Sequence, residues 1–365
     1  MIIKFILQII RKNGVKGMNR WRAAFVVITL FAVAISACDD KDTTKRKYKI
    51  GFVSNTYGID DQYFNQAFME EGISKFAKDE NMIVNKESKK IDSTSEYKLE
   101  KNVRKLAKND YQLIFGTGYN IDYAVNNVSK KYKNTNFAII DSKVFQPNTV
   151  SIIFKENEGS FLAGMIAAMK TKTKKVGFIG GSNNEAINRF KYGFLAGVKM
   201  TDKHIEVLTK NANSFEQPKI GTKIATNFFN QGVDIIFQAA GSTGIGVFKE
   251  AKKQKKELNK EVWVIGVDQD QYQQGLPENV TLISVVKRLD KVVYDVAKQS
   301  KNHQFQGGKT LLYGLNEDGI KLVKAKENVE DSILNKVNLY KDQIQTGKLT
   351  VPSTEEEFRL FEKNL

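Results

Sequence analysis

The stretch Lys49-Ile50-Gly51-Phe52-Val53 returns later in the chain as Lys175-Val176-Gly177-Phe178-Ile179. Each copy is followed, at the same spacing, by two aromatics on a helical period: Phe64 and Phe68 in the first, Phe190 and Phe194 in the second. A glycine follows each pair, Gly72 and Gly197. A strand, loop and helix start that recur in this way argue for two lobes of one topology. Short apolar runs at 49–53, 82–84, 113–115 and 137–140 predict strands, and the segments 63–77, 96–107 and 121–132 predict the helices between them. The second copy predicts strands at 175–179, 205–208, 234–237 and 262–267, with helices at 216–230 and 243–256. Such alternation builds parallel sheets covered on both faces. A single core seldom grows past about 250–300 residues, so a chain of 365 residues has room for two. The expected fold class is α/β, with two doubly wound parallel-sheet lobes joined by a hinge and a cleft between them. We expect 48–155 plus about 285–308 in the N-terminal lobe and 156–284 plus about 309–345 in the C-terminal lobe. The tail 346–365 is expected to pack on a lobe.

In open α/β sheets ligands sit outside the carboxyl ends of the strands. The residues at those ends are polar, glycine-hinged and aromatic. The first strand leads into Asn55, Phe64 and Asn65, and the fourth into Asp141. The second lobe offers Gly180-Gly181-Ser182-Asn183, Phe215, Gly241 and Asp268. Aromatic faces stack on a base for about 1–3 kcal/mol each, and carboxylates accept from hydroxyl and ring N–H groups. The set suits a polar, ring-bearing ligand. Other readings stand beside this one. Asp141 and Asp268 also fit helix N-caps, and Phe64 fits a core position. The run Gly241-Ser242-Thr243-Gly244-Ile245-Gly246 lacks the order of a dinucleotide fingerprint and the lysine of a phosphate loop. It reads as a tight turn whose N–H groups can serve a ligand.

Catalytic constellations are missing. The two histidines, His204 and His303, lie away from the strand-end loops and supply neither a metal pair nor a triad base. No Gly-x-Ser-x-Gly elbow occurs. No enzyme activity, metal or cofactor is expected. The net charge of +16 comes from runs such as 41–49, 170–175 and 249–260, which lack the interleaved aromatics expected of a single-strand binder, Tyr48 standing alone in the first. Such runs read as solvated helix faces, with no nucleic-acid partner and with some affinity for an anionic membrane.

The N-terminus reads as an address. Basic residues from Lys4 to Arg22 precede an apolar run ending at Ile35, then Ser36-Ala37-Cys38. The run is too short for a bilayer core, which needs about 20 residues. Residues 1–37 are therefore expected to be a signal peptide, with Met18 as an alternative start. Ile35-Ser36-Ala37-Cys38 resembles a bacterial lipobox, with Ile in place of the usual Leu. Cys38, the single cysteine, would be acylated and followed by a charged tether over 38–47. The protein would sit in the cell envelope on a lipid anchor, on the inner membrane facing the periplasm or on the outer surface.

Several segments resemble the basic membrane protein family of bacterial lipoproteins, which includes spirochaete basic membrane proteins and the purine nucleoside receptor of ABC importers. They are Gly58-Ile59-Asp60-Asp61-Gln62-Tyr63-Phe64-Asn65-Gln66, Phe137-Ala138-Ile139-Ile140-Asp141, and the run from Phe154-Lys155-Glu156-Asn157 through Glu158-Gly159-Ser160-Phe161-Leu162-Ala163-Gly164. Val176-Gly177-Phe178-Ile179-Gly180-Gly181, the run from Ala239 to Val247 and Ser284-Val285-Val286-Lys287 complete the set. The resemblance covers about 47–365 and implies the type I periplasmic binding protein fold. It further implies a purine nucleoside ligand and ABC permease partners. Phe64 and Phe215 would sandwich the base, and Asp268 would hold ribose hydroxyls or the base edge, supported by a pair with Lys287. Asp141 would contribute from the first lobe, with Asp122 as its rival. The family has Asp where this chain has Asn55, and Ser or Gly where it has Tyr63. The alternative reading is a surface adhesin for host matrix proteins or acidic glycans, and a sugar or autoinducer receptor is a third.

Overall fold

The computed structural model describes residues 47–54, 68–83, 86–91, 93, 96–117, 121–325 and 328–365. Within them the chain runs β1 (Ile50–Val53), a π-helical turn (Phe68–Ile73) continuing as α1 (Ser74–Asp79), β2 (Ser88–Ile91), α2 (Glu96–Lys108) and β3 (Leu113–Thr117). Then come α3 (Asp122–Ser129), β4 (Asn136–Ile140) and β5 (Thr149–Phe154). The second half begins with α4 (Glu156–Lys170), β6 (Lys175–Gly180), α5 (Glu185–Thr201), β7 (Glu206–Asn211) and α6 (Pro218–Asn230). It continues with β8 (Ile235–Ala239), α7 (Thr243–Leu258), β9 (Trp263–Asp268) and β10 (Thr281–Lys287). The last elements are α8 (Leu289–Lys301), β11 (Thr310–Tyr313), β12 (Ile320–Lys324), α9 (Asp331–Gln345) and α10 (Glu355–Lys363).

Two six-stranded sheets result, ordered β11-β5-β4-β3-β1-β2 and β12-β10-β9-β8-β6-β7. The two orders match strand for strand, with β6 standing where β1 stands, β9 where β4 stands and β10 where β5 stands. Both sheets are parallel except for β12, which pairs antiparallel to β10. The strands are apolar on both faces because both faces are covered. Ile50, Phe52, Leu113 and Phe115 face one cluster, whereas Val53, Ile114, Phe137 and Ile139 face another beside α2 and α3. The first cluster continues through Phe154, Phe161, Phe178 and Phe237 into the second sheet. The two parallel-sheet lobes of one topology expected from the repeat are observed, in agreement with the type I periplasmic binding protein fold that the resemblance implies.

Local differences have physical causes. The second strand was expected at 82–84. Val84 lies outside the described residues, Met82 and Ile83 are not in a strand, the Ile83 N–H donates to Glu87 Oε2 at 2.8 Å, and the strand is β2. Two lobe crossings also move from their expected places. β10 stays in the second sheet through Lys287, and β11 pairs parallel with β5 at the edge of the first sheet. The expected boundaries at 285 and 309 therefore shift to just after Lys287 and just after Tyr313.

Helices α4 and α5 meet backbone to backbone. A Cβ on Gly197 would stand 1.9 Å from the Phe161 carbonyl oxygen, one on Gly164 2.2 Å from that of Phe194, and one on Gly193 2.3 Å from that of Asn157. The C-terminal segment closes over this pair: the Asn157 side chain donates to the Val351 carbonyl at 2.8 Å, and Phe358 packs on Tyr192.

Candidate functional site

The carboxyl ends of the second sheet assemble one wall from short polar links. After β6 the chain turns through Gly180-Gly181, and the Phe215 ring lies directly against the second glycine. A Cβ on Gly181 would stand 2.2 Å from Phe215 Cε1. Phe215 itself sits in the loop between β7 and α6, half-buried. Its carbonyl accepts from the Thr243 N–H at 3.1 Å, while the Thr243 hydroxyl donates to Ser214 O at 2.9 Å and accepts from the Gln217 N–H at 2.9 Å. Gly241 makes the adjoining turn with φ +55°, a left-handed conformation that favours glycine, and its α-carbon faces Phe215 O. Gly241-Ser242 is thus a tight turn from β8 into α7, and the helix start at Thr243 holds the aromatic loop in place.

Asp268 ends β9 with φ +67°, and Asp141 directly follows β4, the matching strand of the other sheet, with φ +61°. The loop after Asp268 is fixed from within. Gln271 Oε1 accepts from the Val267 N–H at 2.9 Å and from Gln238 Nε2 at 2.7 Å, and the Gln271 N–H donates to Ser284 Oγ. Neither aspartate is a helix cap: the helix after Asp141 starts only at Glu156, and Asp268 leads into a single 3-10 turn at Tyr272–Gly275.

Lys287, the last residue of β10, is nearly sealed, with 3% of its side chain exposed. Its Nζ donates to Asp141 Oδ2 at 2.8 Å and stands 2.8 Å from Glu156 Oε1. The rings of Phe154 and Phe190 lie 5.2 and 5.6 Å from the ammonium, at distances where a cation is attracted to an aromatic face. Arg189 Nε donates to the other Glu156 oxygen at 2.5 Å. The four groups form one chain, Asp141–Lys287–Glu156–Arg189, running from the first sheet across two crossover segments to α5.

This corrects the expected Lys287–Asp268 pair. The register partner of Asp268 is Val286, not Lys287, and successive side chains leave a strand on opposite faces. Asp268 still acts on Lys287 through its field. Asp141, and not Asp122, which opens α3, reaches the ammonium.

Burial disfavours every charge in the chain, and the balance differs between the two acids. For Asp141, burial pushes the carboxyl above its usual range despite Lys287. For Glu156, burial also pushes upward, but Lys287 and Arg189 together hold the carboxyl below its usual range. Lys287 loses water, yet Asp141, Glu156 and Asp268 keep it charged. Asp141 Oδ1 is buried and finds no hydrogen-bond donor among the described residues.

Asn55, Phe64, Asn65 and Cys38 lie outside the described residues. Glu156 and Arg189 were not among the expected site residues. Glu156 stands in the sequence only as part of the family-like run from Phe154 to Gly164, and the glycines at 164, 193 and 197 are the trace that α4 and α5 approach closely enough to join the two residues.

A family model described as ABC transporter substrate-binding protein PnrA-like matches residues 49–355. The CD4+ T-cell-stimulating antigen of Listeria innocua is 39% identical over 347 residues, 90% of this chain and 97% of that protein. The ABC transporter nucleoside-binding protein BmpA of Lactococcus lactis is 35% identical over 354 residues, 92% of this chain and 100% of its own. Among solved structures, an ABC transporter solute-binding protein from Aeropyrum pernix K1 superposes with a TM-score of 0.74 at 21% identity, over 86% of this chain and 98% of the other.

Proposed function

Because the chain belongs to the PnrA-like family of ABC transporter substrate-binding proteins, we propose that it captures purine nucleosides and delivers them to the permease of an importer. The observation that carries this reading is the pairing of a seated aromatic with buried acceptors at the strand ends. Phe215 is braced by Gly181 and Thr243, so its ring is ordered before a base arrives. Pre-ordering lowers the entropy cost of stacking.

Asp141 supports the same reading from the other sheet. A carboxylate whose burial outweighs its cation, with one oxygen lacking a donor, detracts from folding. Such groups cluster where a ligand completes the bonding. In this reading Asp141 Oδ1 accepts from the nucleoside, Asp268 takes ribose hydroxyls or the base edge, and Gly241 offers its backbone. Phe64 supplies the opposing ring, with Asn55 and Asn65 beside it. Closure of the lobes over the ligand follows the hinge pattern of such folds. The similarity to a protein named as nucleoside-binding favours this ligand class.

Isothermal titration of refolded, ligand-stripped protein with adenosine, guanosine and inosine tests the reading. Saturable binding of at least one purine nucleoside, little changed by salt, is expected; no heat from any of the three overturns it. The lipid anchor at Cys38 is part of the same proposal: Cys38→Ala should move the protein from the membrane to the soluble fraction, and persistence in the membrane counts against it.

A further inference from the structure

We infer that Glu156 and Arg189 are positioning residues for ligand capture: they hold Lys287 at the crossover so that Lys287 orients Asp141 with one carboxylate oxygen left for the ligand. The inference rests on the nucleoside reading for its ligand, but the positioning itself is visible in the geometry.

Lys287 stands at the end of the second sheet, one residue before the chain crosses to α8, which packs on the first lobe through Gly72 and Val293. Glu156 stands two residues after β5, where the chain crosses the other way into α4. Both residues therefore occupy segments that must bend if the lobes move. A long ammonium side chain at such a place has rotamer freedom to lose. Its aim depends on what grips it. Asp141 belongs to the first sheet, so its grip on Lys287 spans the two lobes.

Glu156 grips from a fixed base. Its helix start is pinned by the close approach of Gly193 to Asn157 and by the Asn157 bond to Val351. Arg189 lies one turn before Gly193 on α5, so the same approach brings its guanidinium to the second Glu156 oxygen. With Arg189 on Oε2, and reaching Oε1 at 3.5 Å, and Lys287 on Oε1, the fully buried Glu156 carboxylate is gripped at both oxygens. The rings of Phe154 and Phe190 shut out water that would otherwise compete for the ammonium. The result is a lysine with a single address, which in turn holds Asp141 by Oδ2 and leaves Oδ1 directed elsewhere.

The test is a double-mutant cycle read by nucleoside affinity, joined by a second measurement that needs no ligand. Glu156→Gln keeps the shape and removes the charge; Arg189→Gln removes the brace. Each should weaken the best-binding purine nucleoside at least tenfold while thermal melts stay cooperative. In a Lys287→Gln background the same substitutions should change affinity by less than twofold, because they act through Lys287. If Lys287→Gln does not fold, Glu156→Asp and Arg189→Lys take its place, and both should recover part of the loss. Independently, the Lys287 ammonium resonance in nitrogen-15 NMR should show slow proton exchange in the parent protein and fast exchange in Glu156→Gln. Unchanged affinity in Glu156→Gln, an undiminished loss in the Lys287→Gln background, or an unchanged ammonium resonance each overturns the inference. Failure of the parent protein to bind any purine nucleoside overturns the ligand reading instead, and leaves the ammonium measurement to decide the positioning.

Discussion

Replacing Gly181 by Ala should weaken nucleoside binding without touching any polar group of the site. The added methyl would stand 2.2 and 2.3 Å from two carbons of the Phe215 ring. Carbon atoms attract best at about 3.5–4.0 Å, so the ring must retreat by about 1 Å or more. The backbone at Gly181 lies outside the left-handed region, and alanine adds no strain of its own there. Removing glycine freedom from the unfolded chain favours folding by about 0.4–1 kcal/mol, which offsets part of an overpacking cost of about 1–3 kcal/mol. Stability should change little. Binding should not be spared, since a base stacked on an aromatic ring is worth about 1–3 kcal/mol. Losing most of that is a drop in affinity of about five- to a hundredfold at 1.4 kcal/mol per decade. Titration calorimetry of the parent, Gly181→Ala, Phe215→Ala and the double variant reads the effect. In the Phe215→Ala background the extra methyl has no ring to displace and should cost less than twofold. A dissociation constant for Gly181→Ala within twofold of the parent, or an additive loss in the double variant, would refute the seat assigned to Phe215.

Two further outcomes follow from the packing and the charges. Gly197→Ala drives a methyl to 1.9 Å from the Phe161 carbonyl, so α4 and α5 must separate; a loss of about 1–3 kcal/mol should lower the melting temperature by several degrees, and an unchanged melt would refute the close approach. The two acids on Lys287 should respond to pH with opposite sign. Glu156 is held below its usual value near 4.5, so its contribution is present above that pH and fades as pH falls. Asp141 is pushed above its usual value near 3.8, so its contribution fades as pH rises through that region. Relative to the ligand-free parent, Glu156→Gln should therefore lose stability and Asp141→Asn should gain it as pH is raised from about 3 to 6. Melting curves across that range decide it, and parallel curves for both variants would contradict the assignment.

The fold was legible because a repeated strand and helix start is a global signal: one apolar strand buried on both faces, matched elsewhere, leaves few architectures open. What escaped was the sheet edges and the strand next to one edge in each sheet, β5 and β10, which follow the last segment of each repeat. Ser88–Ile91 is polar in sequence, but among the described residues it pairs only with β1 and needs little apolar surface. Met82 and Ile83 carry the stronger hydrophobic signal and are not in a strand, with Ile83 half exposed. The edge strands Thr310–Tyr313 and Ile320–Lys324 are short and lie outside the repeated pattern, and with them escaped the places where the chain changes lobes.

The site divides along a similar line. Asp141, Phe215, Gly241 and Asp268 were nominated by position, because strand ends face the cleft in a parallel α/β sheet, whereas Lys287 was nominated only by the family resemblance. The partner of Lys287 was not legible, since pairing is decided by which face of a strand a side chain leaves from and by elements far away in the chain. Arg189 and Glu156 are 33 residues apart and touch only because three glycines let two helix backbones meet. A buried charge has to find its counter-charge or give up its proton. Four ionisable side chains sealed at a crossing of two lobes are therefore a costly way to build a hinge and a direct way to aim one carboxylate. That asymmetry is the reason to assign Glu156 and Arg189 to ligand capture: a hinge that only had to bend would be more stable with apolar side chains at both positions.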